Sequence, residues 1–155
     1  MCIPQKWDRR IKTVEGVLDA KVSEGASDLG LWRRVKEIFD ELQVDGMSSD
    51  DSDNEDVLCP TFKTRKLEWR RDMKEIMRIV DDNRGANIMA FHPQGSKPRP
   101  RHQRGELKKS ARSPVVDLPE ALYDPEWLAR QTPDDRHLLN PTRPEWKWVE
   151  LVRRD

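Results

Sequence analysis

Along residues 5–22 the apolar side chains Trp7, Ile11, Val14, Leu18 and Val22 recur at steps of four, three, four and four, which places them on one helical face. Asp8, Arg9, Lys12, Glu15 and Asp19 fall on the other. Gly25 stops this run, Ser27 and Asp28 offer N-cap oxygens, and a second helical pattern follows through Trp32, Val35, Ile38 or Phe39, and Leu42. Residues 4–44 therefore read as an antiparallel helical hairpin. Two helices bury little, so a third is expected. Trp69, Met73, Ile76 or Met77, and Val80 place it from Lys66 to Asp82, inside a unit spanning 65–84, with Thr64 as its cap and Asn83 and Gly85 as its stop. Its exposed side would be positive, through Arg65, Lys66, Arg70, Arg71, Lys74 and Arg78, against Glu68, Asp72 and Glu75. Trp7, Trp32 and Trp69 occupy core-type positions of the three helices.

The pattern breaks between and after these helices. Residues 45–64 read as an acidic linker: Asp45 to Asp56 holds six acids, no base, and only Met47 to bury. Residues 85–113 read as a basic, Pro- and Gly-containing linker. A short apolar patch at 86–91 could be a strand or the tail of the helix, and seven Lys and Arg residues then face the single Glu106. In residues 114–155 Pro114, Pro119, Pro125, Pro133, Pro141 and Pro144 forbid any helix of more than about two turns before Glu145. Val115, Val116, Leu118, Leu122, Tyr123, Trp127 and Leu128 are nonetheless a hydrophobic payload. An irregular arm with short helical turns, docked on another surface, accounts for both facts; Glu145 to Val152 leans to a short helix. The fold expected is mainly α: a small three-helix bundle with long, charged, disordered linkers and a Pro-rich C-terminal arm.

Composition sharpens this picture. Leu, Val, Ile and Phe make up 33 of 155 residues, just above the level at which charged chains fail to fold, yet 29 bases balance 29 acids, so net repulsion does not hold the chain open. Apolar runs are only a few residues long, too short for a membrane span or a signal core. Cys2 and Cys59 have no C-x-x-C partner, which disfavours a disulfide framework or a four-ligand zinc site and fits a reducing compartment. The expected location is intracellular, nuclear or cytoplasmic, and not secreted.

Three features carry candidate chemistry. Ser48 precedes Asp51 by three residues and Ser52 precedes Glu55 by three, the acidic context read by acidophilic serine kinases, although a plain solvating spacer has the same composition. Lys97, Arg99, Arg101, Arg104, Lys108, Lys109 and Arg112 could neutralise nucleic-acid phosphates; a nuclear-import signal, a linker, or a counter-charge for the acidic segment are competing readings. Leu118, Tyr123, Trp127 and Leu128 are candidate interaction anchors. His92, His102 and His137 are too scattered to suggest a metal site, no catalytic or nucleotide-binding motif is present, and no cofactor is expected.

The stretch Gly46-Met-Ser-Ser-Asp-Asp-Ser-Asp53, the Trp69-Arg70 pair, and Ser113 to Leu128 with its L-P-x-x-x-Y-x-x-x-W-L core resemble, in that order, an uncharacterised multi-copy family of mushroom-forming fungi. Asp51 stands where that family usually has Glu, and Asp117 where it has Gly before Leu118-Pro119. The resemblance implies a many-copy fungal protein with mobile-element associations and brings no fold or activity. The sequence thus leads to a non-enzymatic interaction or adaptor protein with an unidentified protein partner, and, as the alternative, to an accessory nucleic-acid binder using residues 97–112. It does not fix the oligomeric state.

Overall fold

The computed structural model describes the backbone of residues 3–47, 50–53, 61–86, 101–102, 109–110 and 112–148, and side chains within 6–47, 65–84, 109–110 and 112–148. The fold is mainly α. Helix α1 runs Ile3–Glu24 and α2 runs Leu29–Leu42. Gly25 turns the chain between them with φ at +63°, the left-handed geometry that costs glycine least. The two helices are antiparallel, because Lys21 pairs with Asp28 beside the turn while Trp7, near the far end of α1, donates its indole N–H to the Phe39 carbonyl at 3.0 Å. Asp28 occupies the N-cap position of α2 but makes no side-chain cap. Its carboxylate goes to Lys21, whose hydrogen bond holds it below the usual carboxylate range.

The faces predicted from spacing are the faces that pack. Ile11, Val14, Trp32, Val35 and Leu42 are buried, as are both Ile38 and Phe39, whereas Val22, at the end of α1, is 56% exposed. Trp7 is half-buried at the core's edge. Arg10, on the flank of the apolar stripe, is drawn inward because both ends of its guanidinium find Asp81, at 3.1 and 2.9 Å.

Helix α3 runs Lys74–Ala86, so it begins eight residues later than the spacing predicted and extends past Asn83 and Gly85. The early start fails for a local reason. Asp72 accepts the Lys74 amide at 2.9 Å, an Asx turn that starts the helix, and the residues before it make a turn at Glu68 and Trp69 between bridges at Lys66 and Arg70. There Leu67 and Trp69 are buried while Glu68 is exposed, an alternation of period two that blends into the helical repeat at Met73, Ile76 and Val80. Arg70, expected on a solvated helix face, consequently turns inward. Thr64 is not a cap but the end of a strand.

That strand, β2 (Thr61–Thr64), pairs antiparallel with β1 (Asp50–Asp53) and parallel with β3 (Arg101–His102). The charge pattern does not anticipate this ladder, which engages short stretches of both segments read as open linkers; backbone pairing asks only for extended chain, and Thr61-Phe62-Lys63-Thr64 has β-forming residues. The acidic and basic strands flank β2 on opposite sides and do not pair with each other.

The arm closes the module. It contains a 3₁₀ turn at Glu120–Leu122, α4 at Pro125–Ala129 and α5 at Pro133–Leu139. The prolines start these helices: each α-helix has Pro at its first position and a capping oxygen just before it, Asp124 accepting the Trp127 amide and Thr132 the Asp135 amide. Asn140, at φ +47°, ends α5 in the left-handed region. Residues 145–148 are not helical: the Trp146 amide closes a turn onto Arg143, whose φ is +45°, and residues 146–148 then follow without regular secondary structure. The remainder of the expected helix, from residue 149 on, lies outside the described residues, as does 87–91.

Candidate interaction surfaces

Of the four side chains expected as anchors, three are spent inside the molecule. Leu118, Tyr123 and Leu128 are buried in the same core as the helices, and Trp127 is half-buried with its ring stacked on Tyr123 at 6.4 Å between centroids. On the other side of Tyr123 stands Trp69, tilted at 6.3 Å. The arm therefore docks on its own helices. Backbone bonds fasten it to the segment before α3, from the Arg71 amide to the Leu122 carbonyl and from the Asp124 amide to the Trp69 carbonyl, both 2.9 Å.

Tyr123 is the only tyrosine in the chain, which makes the docking directly readable. Its hydroxyl donates to the Val115 carbonyl at 2.7 Å, and burial raises its pKa above the ordinary 10.0, with Asp117 adding to the effect and a backbone hydrogen bond opposing it. A raised folded-state value means the stabilisation is complete below the unfolded pKa and is lost as pH rises through the folded one. Absorbance near 295 nm should show the phenol ionising above its free value, together with loss of the arm's docking; ionisation at the free value in the folded protein would contradict the seat described here. Tyr123→Phe should cost about 1–2 kcal/mol in denaturant unfolding, because the Val115 carbonyl loses its donor.

A second convergence lies beyond α2. Arg70 donates to the Gly46 carbonyl at 2.5 Å and Arg112 to the Met47 carbonyl at 2.7 Å, so two cations meet the carbonyls of the turn that follows this helix. Met47 is fully buried, which makes Gly46 and Met47 part of the core rather than the start of a solvated linker. Among the described residues no carboxylate pairs with Arg70, and its Nε is buried without a hydrogen bond. Burial pushes its pKa down to about 10, Arg10 adds repulsion, and Asp72 opposes both; the group stays charged at neutral pH.

The basic stretch is partly committed in the same way. Lys109 pairs with Glu68 at 2.8 Å and Arg112 approaches Asp45 at 3.4 Å, so these two of the seven candidate phosphate contacts already face acids. Arg101 lies in β3, with its side chain outside the described set; Lys97, Arg99, Arg104 and Lys108 lie outside the described residues altogether. Ser48 does too, while Ser52 sits in β1 opposite Phe62. Around Glu68, Lys109 is joined by Arg130 and Lys66, and the hydrogen bond from Lys109 leads in drawing its carboxyl below the usual range. Among the described residues no group of three or more His, Cys, Asp or Glu is placed to hold a metal ion, and no helix is long and apolar enough to cross a membrane.

Two surface features escape the sequence reading. Val116 is 50% and Leu138 74% exposed, and they adjoin one another along the backbone, since the next residues, Asp117 and Leu139, are joined by an amide-to-carbonyl bond of 2.9 Å. The other is the tail, where Arg143 pairs with Glu41, Trp146 donates to Glu37 at 3.2 Å and lies under the Arg34 guanidinium at 4.8 Å, and Trp148 lies under Arg71 at 5.2 Å. No helical or strand period marks these indoles, so only their number hinted at a role. Comparison of the chain with protein-family models, with curated proteins and with solved structures yields no match.

Proposed function

We propose that this chain is a non-enzymatic protein-interaction module, an adaptor whose self-closed helical body presents Val116 and Leu138 to a protein partner. The supporting observation is their exposure on adjoining backbone, in an arm whose Leu118, Leu122, Tyr123, Leu128 and Leu139 are buried. A folded chain keeps apolar groups this open at little cost singly, but neighbouring ones favour a contact that covers them. The exposed polar side chains of α5, Asp134, Asp135, Arg136 and His137, would form the rim. Either half of the cell interior, nucleus or cytoplasm, suits such a role, and the fungal mobile-element likeness suits a chain that works as an accessory to others.

The test is a paired one. The Val116→Lys, Leu138→Lys variant should melt within about 0.5 kcal/mol of the parent, because both positions are exposed. It should lose proteins that the parent captures by cross-linking in extract of its native cell, or lose self-association seen by sedimentation velocity. Identical capture and identical mass in the two chains would remove the proposal.

A second reading, accessory nucleic-acid binding, draws on the grouping of Lys66, Lys109 and Arg130 about the single Glu68. On this reading residues 97–112 extend that positive surface along a phosphate backbone. Titration with labelled single- and double-stranded oligonucleotides should give binding that falls steeply as salt rises; binding absent at low salt, or indifferent to salt, defeats it.

A further inference from the structure

The backbone anchoring of the arm ends at Thr142. Up to that residue the chain is sewn in by main-chain bonds: Thr142 donates to Leu118 and accepts from Glu120, and Asp117 donates to Leu139. Beyond it the character of the attachment changes. Residues 143–148 reach α2 through the Arg143–Glu41 ion pair, the Trp146–Glu37 hydrogen bond and the stacking of Arg34 on Trp146, and reach the segment before α3 through the stacking of Arg71 on Trp148. The side chains of Arg34, Glu37, Glu41, Arg71, Trp146 and Trp148 are none of them fully buried, and the two indoles lie at the rim of the core rather than within it.

We infer that Arg143–Trp148 is a detachable strap, which lies in cis across α2 and the segment before α3 and can lift as a unit while the helical body stays folded. The polar contacts that hold it are of the kind that solvent and salt weaken, the two indoles pack only at the rim of the core, and none of residues 143–148 belongs to a helix or to the short ladder. Lifting the strap bares two indoles together with the Arg34, Glu37 and Glu41 row, a pairing of aromatic anchors with alternating charge typical of energetically dominant contacts. Nothing in this step depends on the Val116 and Leu138 reading. The strap is a conformational device of the arm, and its release changes which surface the module offers.

Fluorine NMR of the full chain grown with 5-fluorotryptophan tests it, since six tryptophans give six resonances and Trp146→Phe and Trp148→Phe assign the two in question. In the Glu37→Lys, Glu41→Lys variant, those two resonances should move to the unfolded-chain position while the other four and the helical circular dichroism hold. Two unmoved resonances in the folded variant would overturn the strap. Should the variant unfold, the parent chain decides by salt: at about 1 M, where charges are screened within roughly 3 Å, the same two resonances moving alone support the inference. Resonances that stay fixed there, or six that move only together, overturn it.

Discussion

A chain ending at Ser113 should lose its cooperative unfolding transition. The missing segment contributes Leu118, Leu122, Tyr123, Leu128 and Leu139 to the core, at exposures of 2, 0, 1, 4 and 7%. At about 1.5–3 kcal/mol for each fully buried large apolar side chain, their loss is on the order of 10 kcal/mol, comparable to the whole stability of a domain this size. Removal also strips the partners from the segment before α3, where the Trp69 carbonyl and the Arg71 amide bond to the arm. Trp69 would then lose the Tyr123 ring that stands against it. Thermal melting followed by circular dichroism should show a shallow, non-cooperative loss of helix in the truncated chain. A sigmoidal melt with the parent's midpoint would mean that the three helices stand alone, and that the arm is the accessory its prolines suggest.

Gly46→Ala should destabilise by about 2–3 kcal/mol, the upper range of forced overpacking. A Cβ at this position would lie 2.6 Å from Leu42 Cβ and 2.7 Å from the Leu42 carbonyl oxygen, neither of which can swing away as a flexible side-chain end could. The clash propagates, because the Gly46 amide donates to that same Leu42 carbonyl at 2.9 Å and the Gly46 carbonyl receives Arg70. Gly30→Ala provides the control. It sits in α2 with nothing within 4 Å of the added carbon, and should stabilise by up to about 1 kcal/mol through helix propensity. Urea titration of the two variants should give midpoints on opposite sides of the parent; shifts in the same direction would show that the turn after Leu42 accommodates a methyl group.

How far the chain could be read follows from what each element obeys. The hairpin was legible because α1 and α2 carry one apolar stripe each at helical spacing, and burial follows the stripe nearly residue for residue. The start of α3 was not, since Trp69 satisfies a period of two with Leu67 and a period near four with Met73, and only the Asp72 side chain settles which one governs. The arm's apolar content was plain, but its destination was not: Leu118, Tyr123 and Leu128 fit a partner's groove or their own helices equally well until the Arg70–Tyr123 backbone bridge is known. Asp117 marks a subtler limit. It holds φ at +61°, a conformation natural to glycine, and its carboxylate accepts the Asn140 side-chain amide at 2.7 Å. The turn expected of a glycine is thus kept with a different residue, two left-handed residues being tied side by side. Of the candidate surfaces, the basic stretch was legible as charge, but not the acids Glu68 and Asp45 that meet Lys109 and Arg112. Those pairings join positions dozens of residues apart, and local spacing carries no trace of them.

The parallel bridge between Pro119 and Thr142, the last rung of the arm, also bears on how the protein is born. Synthesis proceeds from the N-terminus, so the helical hairpin leaves the ribosome with Trp32 and Phe39 already in place but with no lid over them. Helix α3 covers part of that surface as it emerges, but the core stays incomplete until the arm, with Leu118, Leu122, Tyr123, Leu128 and Leu139, has cleared the exit tunnel. Nascent chains of this protein should therefore spend most of their elongation as clients of ribosome-associated chaperones, and slow codons late in the message would prolong that exposure.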